Sequence, residues 1–254
     1  MLRLVEPSPV RSAKGKHVCI IGLGPSLAHY MDLTRRLGGR RRLADETWGI
    51  NALGDVFVCD RIFHMDDVRI QEVRAAALPD SSIQVMLDWM KAHPGPIYTS
   101  RAHPEYPGLV EYPLAEVLKN LGTVYFNSTA AYAVGLAIHE EVARISLYGC
   151  DYTYANAHQS EKGRGCLEFW LGVASACGID VDVSEYSSLM DSCETERLYG
   201  YGSMGSRDAN VRFDKRNRPR VTFKARKTLP TAAEIEAAYD HSKHPSPLIS
   251  GDAA

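Results

Sequence analysis

Apolar and polar positions along the chain fall into short blocks separated by glycine, proline and polar turns. Residues 18–21 are a β-branched apolar run with the length of a strand buried on both faces, as in a parallel sheet. The run stops in Gly22-Leu23-Gly24-Pro25-Ser26, and residues 27–37 then form a helix that Gly38 and Gly39 end. Strands follow at 47–51 and within 56–67, and a short one at 96–99. Between them, helix formers dominate 68–90 and are broken at 79–82, while 100–113, with three prolines, reads as an irregular surface loop.

The second half restarts the pattern. A strand is expected at 123–126, a capping turn at Asn127-Ser128-Thr129, a helix at 130–141 and a strand at 144–148 that runs into Gly149-Cys150-Asp151. A polar and aromatic loop, 152–165, leads to a helix at 166–177 and a last strand at 179–183. Such alternation predicts an α/β fold with a doubly wound, mainly parallel, Rossmann-like sheet. Residues 1–16 read as a flexible lead-in, 17–195 as the single nucleotide-binding domain and 196–254 as a C-terminal extension. That extension holds a basic segment, written as a short hairpin or an extended arm, a helix at 231–239 and a disordered tail.

Composition narrows the class. At 254 residues there is room for one substantial core, and 29 basic against 31 acidic side chains select no partner by global charge. Eight Lys or Arg between Val211 and Lys227 are the exception, a segment that is either a solvated face or a site for nucleic acid. The six cysteines include no C-x-x-C pair, which fits reduced thiols in a cytosolic protein. No run approaches the roughly 18 apolar residues that span a bilayer, and no signal-peptide core is present, so a soluble, cytoplasmic protein without a membrane span is expected. A homo-oligomer stays open.

The candidate chemistry lies where strands end, because ligands of open α/β sheets bind at the carboxyl edge. Gly22 and Gly24 let a ligand approach the backbone, Pro25 suits a helix start, and Ser26 adds a hydroxyl at a helix N-terminus, which favours a phosphate. Asn51 is placed for a base or ribose, and Ser128 and Thr129 complete a ring with Gly149, Asp151, Tyr152 and Tyr154. His158 in that loop is either a plain surface residue or a proton handler near neutral pH. Asp66 and Asp67 fit either a metal or a strand-end cap.

G-x-G-P-S-L after a first buried strand resembles the opening of the family-42 bacterial sialyltransferases, and of a related family that includes archaeal pterin pyrophosphokinases. The later order is similar too: F-N-S-T-A-A-Y-A-V-G-L-A-I, then I-S-L-Y-G-C-D-Y, then His158 before C-L-E-F-W-L, then S-E-Y-S-S-L and L-Y-G-Y. The likeness covers roughly residues 17–200 apart from a long middle part. It implies a nucleotide-sugar transferase that needs no metal or other cofactor, with His158 as general base toward an acceptor hydroxyl. Gly22, Gly24, Ser26 and Asn51 would hold the nucleotide. The acceptor, whether glycan, small molecule or modified nucleic acid, is not specified.

The chain departs from the sialyltransferase pattern where Asp151 and His158 stand only seven residues apart, which removes the family's long lid and puts sialic acid as donor in doubt. A phosphate-binding tyrosine of that family falls on Thr153, between Tyr152 and Tyr154. The pyrophosphokinase likeness implies instead diphosphate transfer from ATP with Mg, and Asp66, Asp67 and Asp151 as ligands. A third reading is a nucleic-acid- or partner-binding module with an idle nucleotide site.

Overall fold

The computed structural model describes residues 11–78, 81–153, 156–194, 198, 200–201, 205–214 and 218–238. The chain divides into two compact units after Cys193. In the first, seven strands form one sheet: β1 (His17–Ile21), β2 (Glu46–Ile50), β3 (Arg61–Phe63), β4 (Ile97–Thr99), β5 (Leu109–Glu111), β6 (Arg144–Tyr148) and β7 (Asp180–Val183). Their order is β5-β4-β3-β2-β1-β6-β7 and every pairing is parallel. The protein is thus an α/β fold with a Rossmann-like, doubly wound sheet. Strand order reverses between β1 and β6, and β1 has all of Val18, Cys19, Ile20 and Ile21 buried, as a central strand requires.

Helices α1 (Leu27–Leu37), α2 (Val68–Ala77), α3 (Ile83–Ala92), α4 (Leu114–Leu121), α5 (Thr129–His139) and α6 (Ala157–Ala176) cover the two faces. Helix α5 is buried from Ala130 to Ile138 except at the half-buried Tyr132 and packs on β1, β2 and β3, a close approach that Ala130, Ala131, Ala133, Gly135 and Ala137 permit. A Cβ at Gly135 would stand 2.7 Å from the Phe126 ring. At the amino edge of the sheet, Arg61 is buried and ion-paired to Glu46 at 3.0 Å and Glu140 at 2.6 Å, with its guanidinium 4.7 Å from the Trp48 ring centroid. Its charge is matched, as burial demands.

Four segments differ from expectation. Residues 123–126 form no strand: Val124 is 81% exposed, and Phe126 stacks on Trp170 and Tyr132, so these apolar groups serve helix packing. The edge position goes instead to β5, inside the stretch expected to be irregular. Helix α6 begins at Ala157, not at 166, because Asn156 caps it through Oδ1, which accepts from the Gln159 amide at 3.1 Å. Residues 11–16 are anchored rather than loose, with Ala13 fully buried and its amide donating to Glu140 at 2.6 Å. Residues 1–10 lie outside the described residues.

The second unit contains an antiparallel hairpin of β8 (Arg207–Phe213) and β9 (Pro219–Ala225) and a helix α7 (Ala232–Ala238). Thr231 and Glu234 form a reciprocal cap on α7. Lys215, Arg216 and the tail from His241 lie outside the described residues.

Candidate active site

At the carboxyl ends of β1, β2 and β6, where strand order reverses, lies a cavity of about 710 Å³. That is the position at which open α/β sheets bind ligands. Its walls come from residues 22–25, 50–51, 127–130 and 149–153, and from Gln159, Lys162 and Gly163. The expected residues Gly22, Gly24, Pro25, Asn51, Ser128, Thr129, Gly149, Asp151 and Tyr152 therefore share one cavity. Ser26 and His158 do not line it, and Tyr154 lies outside the described residues.

The glycines serve the chain itself before any ligand. The turn after β1 and the turn after β6 press backbone on backbone: a Cβ on Gly22 would collide with the Gly149 carbonyl, and one on Gly149 with the Gly22 carbonyl. Gly149 also has a φ of +68°, which disfavours any side chain. A Cβ on Gly24 would stand 2.6 Å from Asp151 Oδ2.

The expected phosphate cradle at 22–27 is largely engaged internally. The amide of Gly22 donates to the Tyr148 carbonyl at 2.8 Å and that of Gly24 to the Gly149 carbonyl at 2.7 Å. At the N-terminus of α1 the Ser26 amide donates to Asp151 Oδ2 at 2.7 Å and the Ser26 hydroxyl to Asp151 Oδ1 at 2.6 Å, while Ser26 Oγ accepts from the Gly149 amide at 2.7 Å. Ser26 is only 2% exposed. The anion at this helix terminus is the chain's own carboxylate, so Ser26 holds the turn together rather than facing the cavity. Among the described residues, only the Leu23 amide of this turn lacks a partner.

Free donors occur on the opposite half of the ring. Ser128 caps α5, and the Thr129 and Ala130 amides, both at the cavity, have no partner among the described residues. With the helix dipole behind them they favour an anion. The Ser128 hydroxyl also meets the Tyr152 hydroxyl at 2.7 Å. Tyr152 has a φ of +52°, and its ring packs on Gly163, where a Cβ would clash.

Gln159, Lys162 and Gly163 fall on one stripe of α6, at the i, i+3, i+4 spacing of a helix face. Lys162 is exposed and has no carboxylate partner among the described residues. Reading residues 152–165 as a loop hid both Gln159 and Lys162; the N-x-x-Q cap at Asn156 was the available signal. His158 is exposed and does not line the cavity, although at i, i+4 it neighbours Lys162 on the surface of α6. The buried thiol of Cys150 is pushed up to about 12 by desolvation and then by Asp151, so it is protonated at neutral pH and is no nucleophile.

Of the three carboxylates of the Mg reading, Asp66 is exposed and the other two are engaged within the fold. Both Asp151 oxygens accept from Ser26, and Asp67 caps α2 through the Arg69 amide at 2.9 Å and meets His103 Nε2 at 2.9 Å. No group of three or more His, Cys, Asp or Glu among the described residues is placed to share an ion.

No protein-family model and no curated protein matches the chain. Among solved structures it is similar to the sialyltransferase CstII from Campylobacter jejuni in complex with a substrate analogue, cytidine-5'-monophosphate. The identity is 13% over 87% of this chain and 98% of that one, with a TM-score of 0.40. A likeness at that level carries no argument about the site.

Proposed function

We propose that the cavity binds the nucleotide of a nucleotide-sugar and that the protein transfers the sugar to an acceptor hydroxyl without a metal. The observation that carries this reading is the cavity at the strand reversal bounded by the free amides of α5 and by Lys162. These groups can hold a nucleoside phosphate and neutralise the charge that develops on it as it leaves. Asn51, which follows β2 with a φ of +54° and lines the cavity, contacts the base or ribose in this reading. Ser128, Thr129 and Tyr152 supply hydroxyls to the phosphate. His158 is the general base in this reading; because it is exposed beside the cavity stripe, the acceptor approaches from the outer side of α6. The transfer step rests on the sequence resemblance, and nucleotide binding on the cavity.

A thermal-shift panel tests it, with CMP, UDP, GDP, ADP and ATP and their sugar conjugates, each with EDTA and with magnesium. The expected result is a shift by one nucleoside phosphate that survives EDTA. A shift confined to ATP with magnesium replaces the reading by diphosphate transfer, and no shift removes it. Given a donor, His158→Ala should abolish transfer and leave the shift intact; unchanged turnover removes His158 as base.

A further inference from the structure

The hairpin of the second unit is amphipathic by register. Val211 pairs with Val221, Ala209 with Phe223 and Phe213 with Pro219, and directly paired residues share a face. One face therefore carries Val211, Phe213, Val221 and Phe223, which are 40, 64, 43 and 57% exposed. The Tyr201 ring lies 5.4 Å from that of Phe223, centroid to centroid, and extends the apolar surface. The other face carries Arg212 paired with Arg220, Asn210 with Thr222 and Asp208 with Lys224.

Charge is concentrated here. Residues 207–227 contain nine basic and two acidic side chains, a net of +7 in a chain whose net is −2. Among the described residues Arg212 and Lys224 have no carboxylate partner, while Asp208 pairs with Arg226 and Asp214 with both Arg218 and Arg220. A lone two-stranded sheet is marginal in water, and an exposed contiguous apolar face adds to that.

The occupant must be anionic and must also take four apolar side chains out of water. A nucleic acid satisfies the cations and leaves the Val and Phe face wet. A neutral apolar protein surface does the reverse. An anionic lipid surface does both, because the headgroups attract the cations and the acyl boundary receives the apolar face.

We propose that the β8–β9 hairpin docks the protein peripherally on an anionic membrane surface, with Val211, Phe213, Val221 and Phe223 inserted at the acyl boundary. No described helix is long and apolar enough to cross a membrane.

The test is co-sedimentation of the full chain with phosphatidylcholine vesicles, with and without phosphatidylglycerol, over a salt series. The wild type should partition into the anionic vesicles at least about tenfold better than into the neutral ones, and less so as salt rises. Phe213→Ser with Phe223→Ser, and separately Arg212→Glu with Arg220→Glu, should each reduce partitioning about tenfold or more. Phe213→Leu with Phe223→Leu, which keeps the face apolar, should retain it. In Phe223→Trp, brominated lipid should quench an indole signal that the wild type lacks.

Binding to a nucleic-acid duplex with no vesicle binding overturns the proposal, as does vesicle binding indifferent to the serine variants. It also falls if the added indole of Phe223→Trp is already shielded from an aqueous quencher in the lipid-free protein, either within the chain or in a dimer.

Discussion

The carboxylate of Asp151 sits on the first turn of α1 and takes both donors of Ser26, the hydroxyl at 2.6 Å and the amide at 2.7 Å. Two turns from distant parts of the chain are thereby clamped, and the floor of the cavity depends on that clamp. Ser26→Ala removes a hydrogen bond to a charged group and strands the buried Gly149 amide. The expected loss is about 3 kcal/mol, read as a lower urea midpoint at unchanged slope. A loss under about 0.5 kcal/mol, the size of an ordinary surface change, would mean the clamp is incidental.

Glycine substitutions separate the clamp from ordinary helix. Gly149→Ala combines a φ of +68° with a collision against the Gly22 carbonyl and should leave little folded protein at room temperature. Gly172 lies within α6, exposed, with nothing within 4 Å of an added Cβ. Gly172→Ala should therefore stabilise by about 0.8 kcal/mol through helix propensity alone, measured by thermal melting.

What the sequence could tell followed from how local each signal is. Strands β1 and β6 were legible because a central parallel strand is largely apolar on both faces, and the two glycine turns marked where they end. The role of those glycines was not legible, since the approach of Gly22 to Gly149 spans more than a hundred residues and no local pattern encodes it. The V-Y-F run at 124–126 mimics a strand, yet its aromatic groups belong to the packing of α6. Three residues of β5 in a proline-rich stretch carry too little periodicity to stand out. The first turns of α6 were hidden by Gly163 and Gly165 and by polar side chains that face the cavity or solvent, and with them went Gln159 and Lys162.

Two histidines link stability to pH. His64 is 4% exposed, its Nε2 has no partner among the described residues, and burial holds its pKa below the ordinary 6.5 although Asp66 pulls it upward. His17 is lowered in the same direction, by burial and then by Arg144. Both are bases with a lowered folded pKa, so as pH falls through about 6.5 the unfolded chain takes up protons first. Stability is fully present above that value and declines below it, toward the folded pKa values, with a slope of up to about 1.4 kcal/mol per pH unit for each histidine. His64→Leu, which also removes an unsatisfied buried nitrogen, should keep the urea midpoint at about pH 7.5 and flatten its decline toward about pH 5.5. An unchanged decline would locate the linkage elsewhere.

Lys162 and Ser128 should part company when binding and stability are measured together. Lys162 is exposed, lacks a carboxylate partner among the described residues and lines the cavity, so nothing in the fold depends on its charge. Lys162→Ala should leave the melting temperature of the free protein unchanged, weaken nucleoside phosphate binding about tenfold and reduce the salt dependence of that binding. Ser128 both caps α5 and meets Tyr152 at 2.7 Å. Ser128→Ala should cost about 1 kcal/mol of stability as well as affinity, because the cap and the anion-facing amides belong to the same helix turn. Isothermal titration beside denaturant melts resolves the two. If Lys162→Ala binds as the wild type does while Ser128→Ala does not, the phosphate lies against α5 alone; if neither variant loses affinity, the nucleotide is not in this cavity.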